Sequence, residues 1–242
     1  MSGKVLIYGG SGGIGSAVAR ILAQKGYALH LSGRDGQKLK VVAGDTGASF
    51  TLADVEDDDC FARVMSEAGP SLAGLVYAVG TINLKPLSRL TITDFERDFR
   101  VNALGAALAM QAALPALKAH TGTVSAVLFS SVAVAQGFTA HASIAMAKGA
   151  VEGLTRALAA ELAPKLRVNA IAPSLTRTAL AKDLTDNPQM ATAIAQMHAI
   201  PRLGEAEDSA RLAAFLISAD ADWITGQTIG VDGGRSSLRT KG

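Results

Sequence analysis

The sequence predicts a single α/β domain built on a doubly wound parallel sheet. Three observations predict it. Short runs rich in Val, Leu and Ile alternate with longer amphipathic stretches, the pattern of repeated βαβ units. A glycine-rich turn separates the first such run from the first helical stretch. The 242 residues, 49% of them hydrophobic, suffice for one large core without requiring two domains.

Taken in order, the apolar runs place strands at 4–8, 28–32, 48–52, 74–79, 124–130, 167–172 and 228–231. Helical periodicity places helices at 13–25, 57–67, 92–117, 143–163 and 206–217, with a short one inside 35–42. Each return between strands is long enough for a right-handed helical crossover. Ala, Leu and Met dominate Ala103–Leu117 and Ile144–Leu162, so these helices are expected to bury more than one face, as subunit contacts require. The segment 176–202, with Pro188 and Pro201 and few strand signals, reads as a mobile substrate lid within the single domain 1–242.

Composition narrows the function classes. The net charge of +2 is spread without a basic run, which argues against a nucleic-acid partner. Cys60 is the only cysteine, so there is no internal disulfide or cysteine-rich metal site, and a reducing cytoplasm is expected. A core strand begins by Val5, leaving no room for a signal peptide, and no apolar run is long enough to span a bilayer. Ala103–Leu117 comes nearest, but Gln111 and Pro115 make it a buried or interface helix.

Lys4-Val-Leu-Ile-Tyr8 runs directly into Gly9-Gly-Ser-Gly-Gly-Ile-Gly15 and then into Ser16-Ala-Val-Ala-Arg-Ile-Leu22: strand, turn, helix. Glycines there permit positive φ and let backbone N–H groups approach a pyrophosphate at a helix N-terminus, where peptide dipoles favour negative charge. Two registers fit, Gly10-x-Gly12-x-x-Gly15 and Gly9-x-x-x-Gly13-x-Gly15. Candidate cofactor contacts in the turn are Gly9, Ser11, Gly13, Ile14 and Gly15. At the end of the second strand, Ser32-Gly33-Arg34-Asp35 favours NADP(H) over NAD(H), because a base there suits a 2′-phosphate and an acid suits a 2′-hydroxyl. The competing reading makes Arg34 a solvated charge paired with Asp35.

Further motifs follow in order: Asp54-Val55, Leu75-Val-Tyr-Ala-Val-Gly80, Val101-Asn102-Ala-Leu-Gly105, Phe129-Ser130-Ser131, Ile144-Ala-Met-Ala-Lys148, Arg167-Val-Asn169-Ala-Ile-Ala-Pro173 and Val231-Asp-Gly-Gly234. With the glycine turn they resemble the short-chain dehydrogenase/reductase family over nearly the whole chain. The resemblance implies a single Rossmann-type domain with seven strands in the order 3-2-1-4-5-6-7, and a homo-oligomer, tetramer or dimer, packed through the long helices. It implies adenine contacts from Asp54 and Val55, and cofactor contacts from Gly80, Pro173, Thr176 and Thr178. It gives Lys148 the nicotinamide ribose hydroxyls and the task of lowering the pKa of a neighbouring acid. Ser131 would orient a substrate oxygen, and Asn102 would support a proton relay to the lysine. Ser174 departs from the pattern, standing where the family has glycine.

The family's Tyr-x-x-x-Lys becomes Ile144-x-x-x-Lys148, and isoleucine can neither give nor take a proton. His141 precedes Lys148 by seven residues, returning to nearly the same helix face, and this is the tyrosine-to-lysine spacing of the family's enoyl reductase branch. Histidine titrates near neutral pH, which makes His141 the candidate acid, alongside Tyr8, Tyr77 and His198 as lesser ones. Ser143 is expected to be the N-cap of its helix. Dienoyl-CoA reductases of the family also lack the tyrosine while keeping the lysine. The expected function is therefore NADP(H)-dependent hydride transfer to a carbonyl or activated C=C of a small molecule with a substitute proton donor. The alternative is a non-catalytic dinucleotide-binding sensor or partner subunit.

Overall fold

The computed structural model describes residues 2–239. Seven strands form one parallel sheet: β1 (Ser2–Tyr8), β2 (Tyr27–Gly33), β3 (Ser49–Leu52), β4 (Gly74–Tyr77), β5 (Val124–Phe129), β6 (Leu166–Pro173) and β7 (Thr228–Val231). Their order is 3-2-1-4-5-6-7 and every pairing is parallel. The continuous apolar run of β1 follows from this position. With both sheet faces covered, successive side chains enter two different core layers. Leu6 and Tyr8, paired with Leu75 and Tyr77, point into one layer, while Val5 and Ile7, paired with Leu29 and Leu31, point into the other.

Helices α1 (Gly13–Gln24) and α2 (Gly36–Thr46) cover the second layer together with a later helix, α8 (Ala206–Ile217). The first layer lies under α3 (Cys60–Ala68), α5 (Gly105–Ala119) and α6 (Ala142–Leu162), with α4 (Ile92–Phe99) leading into α5. Caps fix the starts: Asp35 accepts from Lys38 N at α2, and Thr91 and Asp94 form a reciprocal box at α4. At its far end α2 stops at Gly47, whose φ of +69° closes it in the left-handed region. It thus runs past the short helix expected inside 35–42.

Three further expectations are corrected. The single helix expected at 92–117 is divided by a π turn, Arg100–Leu104. The cause is Tyr77 on β4, whose hydroxyl donates to Val101 O at 2.7 Å and competes for that carbonyl; the close approach leaves no room for a side chain at Gly105, where a Cβ would sit 2.1 Å from the phenol oxygen. The expected irregular segment 176–202 contains two short helical turns and α7 (Pro188–Ala195), which Asn187 caps and Pro188 opens. Finally, Ser143 is not the N-cap of α6: His141 holds that position without a side-chain bond. Ser143 is buried in the first turn of the helix, where its hydroxyl donates to the Asp98 carboxylate instead of accepting from the amides that open the helix. No helix among the described residues is long and apolar enough to cross a membrane.

Candidate active site

At the C-terminal ends of β1, β4, β5 and β6, chain direction diverges on either side of β1, the switch point where open α/β sheets bind ligands. The glycine turn occupies it. Gly9 has φ +78°, and its N–H and that of Gly10 donate to Ser32 O at 2.8 and 3.0 Å, tying the turn to β2. A Cβ on Gly15 would lie 2.1 Å from Gly9 O, one on Gly13 2.6 Å from Thr178 Cγ2, and one on Gly9 2.8 Å from Ala78 O. A Cβ on Gly12 would meet only Gly9 O, at 3.2 Å. Gly10 is equally tight, with a Cβ there 2.9 Å from Leu31 Cβ, so sterics separate the two registers only at their middle glycine, favouring Gly13 over Gly12. The amides opening α1 have no side-chain cap, so that N-terminus is open to an anion. Ser11 Oγ closes over Gly33, where a Cβ would be 2.7 Å away.

Beyond β2, Arg34 meets Asp54 at 3.6 Å rather than Asp35, which is engaged by Lys38 at 3.0 Å and by the start of α2. Asp54 also accepts from Glu56 N at 3.1 Å, and Val55 is buried in the core beside it.

The opposite end of the site is built around Lys148. It projects from α6 and is 7% exposed, with its ammonium donating to Phe129 O at 2.8 Å. Burial lowers its pKa to about 8, and the charge of Asp98 partly opposes the shift. Gly80 makes room for it: a Cβ there would lie 3.1 Å from Asn102 Oδ1 and 3.3 Å from Lys148 Nζ. Asn102, held in the π turn, donates to Thr81 Oγ1 and to Asp98 O, both at 2.8 Å.

Sequence reasoning passed over Asp98. Only 2% exposed, its carboxylate accepts from Thr81 Oγ1 and Ser143 Oγ, both at 2.6 Å, and from Asn83 Nδ2 at 3.3 Å. The available signal was its place four residues before Asn102, which puts the two on one helix face.

A cavity of about 700 Å³ opens over Lys148. Ser131, His141, Ile144, Pro173, Thr176 and Thr178 all line it. Ile14 and Gly80 join its wall from the cofactor side. Ser131 Oγ faces it while accepting from Ala133 N at 3.2 Å. Ile144 is 6% exposed and sits one helical turn from Lys148. His141 Nδ1 lies 2.7 Å from Thr139 O, and since a carbonyl can only accept, Nδ1 carries the hydrogen and Nε2 is the nitrogen left for chemistry.

The other titratable candidates do not line it. Tyr77 is committed to Val101 O, Tyr8 lies in the core against Phe61 and Tyr77, and burial pushes both phenols far up. His198 is buried, with Nε2 2.8 Å from Ser174 Oγ, and so latches the Pro173–Thr178 loop to the segment after α7.

Residues 9–236 match the family model described as enoyl-(acyl carrier protein) reductase. The chain belongs to the short-chain dehydrogenase/reductase family. It is 33% identical to the tropinone reductase homolog At5g06060 of Arabidopsis thaliana, over 97% of this chain and 92% of that one. It is also 33% identical to a 3-oxoacyl-[acyl-carrier-protein] reductase of Bos taurus, over 94% and 95%. Among solved short-chain dehydrogenase/reductase folds, the structure described as ElxO with NADP bound superposes with a TM-score of 0.89 at 28% identity, covering 98% of this chain and all of that one, 100%. Family membership makes the chain an oxidoreductase homologue whose relatives bind nicotinamide dinucleotides.

Proposed function

We propose that this protein is an NADP(H)-dependent oxidoreductase that delivers hydride to a carbonyl or activated C=C of a small molecule, with His141 as proton donor where the family has tyrosine at the position of Ile144. One observation carries the reading: Ser131, His141 and Lys148 line a single cavity, with the apolar Ile144 among them. The cofactor fits the residues present. Gly9, Gly13 and Gly15 form a cradle that any Cβ would fill, at the uncapped start of α1. NADP(H) is favoured because Arg34, with 65% of its side chain exposed and a single carboxylate 3.6 Å away, is available to a 2′-phosphate. A solved relative is described as NADP-bound.

The nicotinamide supplies the hydride when bound. Lys148 would hold the ribose hydroxyls of the bound cofactor and, as a buried cation, would stabilise negative charge developing on the substrate oxygen. Ser131 Oγ orients that oxygen by donating to it, while Asn102 and Gly80 set the place of the lysine. Protonated His141 gives its Nε2 proton, and its Nδ1–H bond to Thr139 O holds the ring. Ile144 contributes shape and dryness. Assembly as a tetramer or dimer through α5 and α6, in a reducing cytoplasm, goes with this reading; Met146 on α6, 50% exposed, offers apolar surface for it.

The test is to titrate the protein with NADPH and NADH, then follow reduced-cofactor absorbance with ketones, enones and enoyl thioesters. NADPH consumption supports the reading. The second reading, a dinucleotide sensor or partner subunit, is favoured by Ile144 and by the Ser174–His198 latch, which ties the nicotinamide loop in place. Tight binding without consumption would select it.

A further inference from the structure

The rim of the cavity holds a cation that the hydride transfer does not use. Arg235, in the turn after β7, lines the cavity. Its guanidinium lies 5.0 Å from the centroid of Phe138, and Phe138 meets His141 edge-on at 5.3 Å. The arginine is pinned at both ends. Its carbonyl accepts from Gln136 Nε2 at 2.6 Å, and its Nη1 donates to Met197 O at 3.2 Å. Stacking on Phe138 fixes the plane of the fork, so its remaining N–H groups are pre-organised.

Charge complementarity says what they await. No carboxylate among the described residues forms an ion pair with Arg235. None of the described residues lining the cavity is acidic, although the walls are otherwise largely apolar. Lys148, bonded to Phe129 O, and His141 both serve the reacting end of the substrate, which leaves Arg235 as the one cation of the described lining with no part in the transfer. A planar, partly desolvated guanidinium with N–H groups to spare binds carboxylates in charge-assisted, often two-pronged hydrogen bonds.

We infer that the substrate is an apolar oxo or enone compound bearing a carboxylate at the end remote from the reacting carbon, and that Arg235 binds this carboxylate. The inference rests on the reading that the cavity over Lys148 takes the substrate. Because Arg235 takes no part in the transfer, it selects the substrate and its orientation and leaves the chemistry to the groups already named.

The experiment compares medium-chain oxo-acids with their methyl esters, measuring affinity by calorimetry on the protein saturated with NADP+. The acid is expected to bind about tenfold or more tightly than its ester, and Arg235→Gln to remove that preference by weakening the acid alone while NADPH affinity holds. Equal binding of acid and ester, binding of neither, or equal weakening of both by Arg235→Gln would overturn the proposal and leave Arg235 a structural pin. If Arg235→Gln fails to fold, Arg235→Lys, which keeps the charge without the fork, is expected to retain only part of the preference; an undiminished or absent effect on the acid contradicts the role of the fork. If NADPH itself fails to bind, the oxidoreductase reading falls, and the same comparison on the cofactor-free protein decides the Arg235 site separately.

Discussion

His141 and Ile144 both face the cavity from the start of α6, and of the two only the histidine can move a proton. His141→Ala is therefore expected to lower turnover by about 10²-fold or more while leaving NADPH affinity unchanged, read by steady-state rates beside fluorescence titration. Unchanged turnover would place the proton source elsewhere. Asp98 makes a separate prediction. Replacing it by Ala removes the 2.6 Å acceptor of the Thr81 and Ser143 hydroxyls, while Ser143 and Asn83 keep their bonds to Asp94, and urea unfolding should register a loss of about 1–3 kcal/mol. At this scale Ser131, Ile144 and Lys148 were picked out by the family resemblance, which their spacing on one short stretch of chain carries, and the three line one cavity. Asp98 was not, because its meaning comes from Thr81 and Ser143, which lie 17 and 45 residues away.

Elements were legible where periodicity is local. All seven strands lie within a few residues of their expected places; the central ones, buried on both faces, write themselves as apolar runs, while the edge strands Ser49–Leu52 and Thr228–Val231 are only partly buried. The π turn was not legible: it is set by the Tyr77 hydroxyl, 24 residues away from Val101 in sequence. The two glycine registers, inseparable in sequence, now differ in prediction. Gly15→Ala and Gly13→Ala should each weaken NADPH binding by about tenfold or more, since a Cβ would lie 2.1 Å from Gly9 O or 2.6 Å from Thr178 Cγ2. Gly12→Ala should be tolerated. A titration in which Gly12→Ala proves the most damaging would favour the other register.

For the whole molecule, Lys148 is a charge that folding buries, and its cost depends on pH. Its pKa in the folded protein is about 8, below the ordinary 10.5, so between those values the unfolded chain holds more protons and stability rises with pH. At pH 7 both states are protonated and the folded state carries the full penalty. Lys148→Met is thus expected to stabilise the protein by about 1–3 kcal/mol at pH 7, with the gain shrinking as pH climbs through the window, while cofactor binding weakens. Urea melts across that range read the sign directly; a gain that grows with pH would contradict it. Stability given up at the very residue that faces the cavity is what an active site asks of a fold. The global strand order came from family resemblance and not from periodicity, since local patterns say which segments are strands and are silent on which ones are neighbours.

The most direct test is a fluorescence titration with NADPH and NADH, followed by absorbance of the reduced cofactor as pooled ketones, enones and enoyl thioesters are added. Tighter binding of NADPH than NADH, lost in Arg34→Ala, with consumption that His141→Ala slows by about 10²-fold or more, is the predicted result. Failure of either cofactor to bind would contradict the account at its foundation.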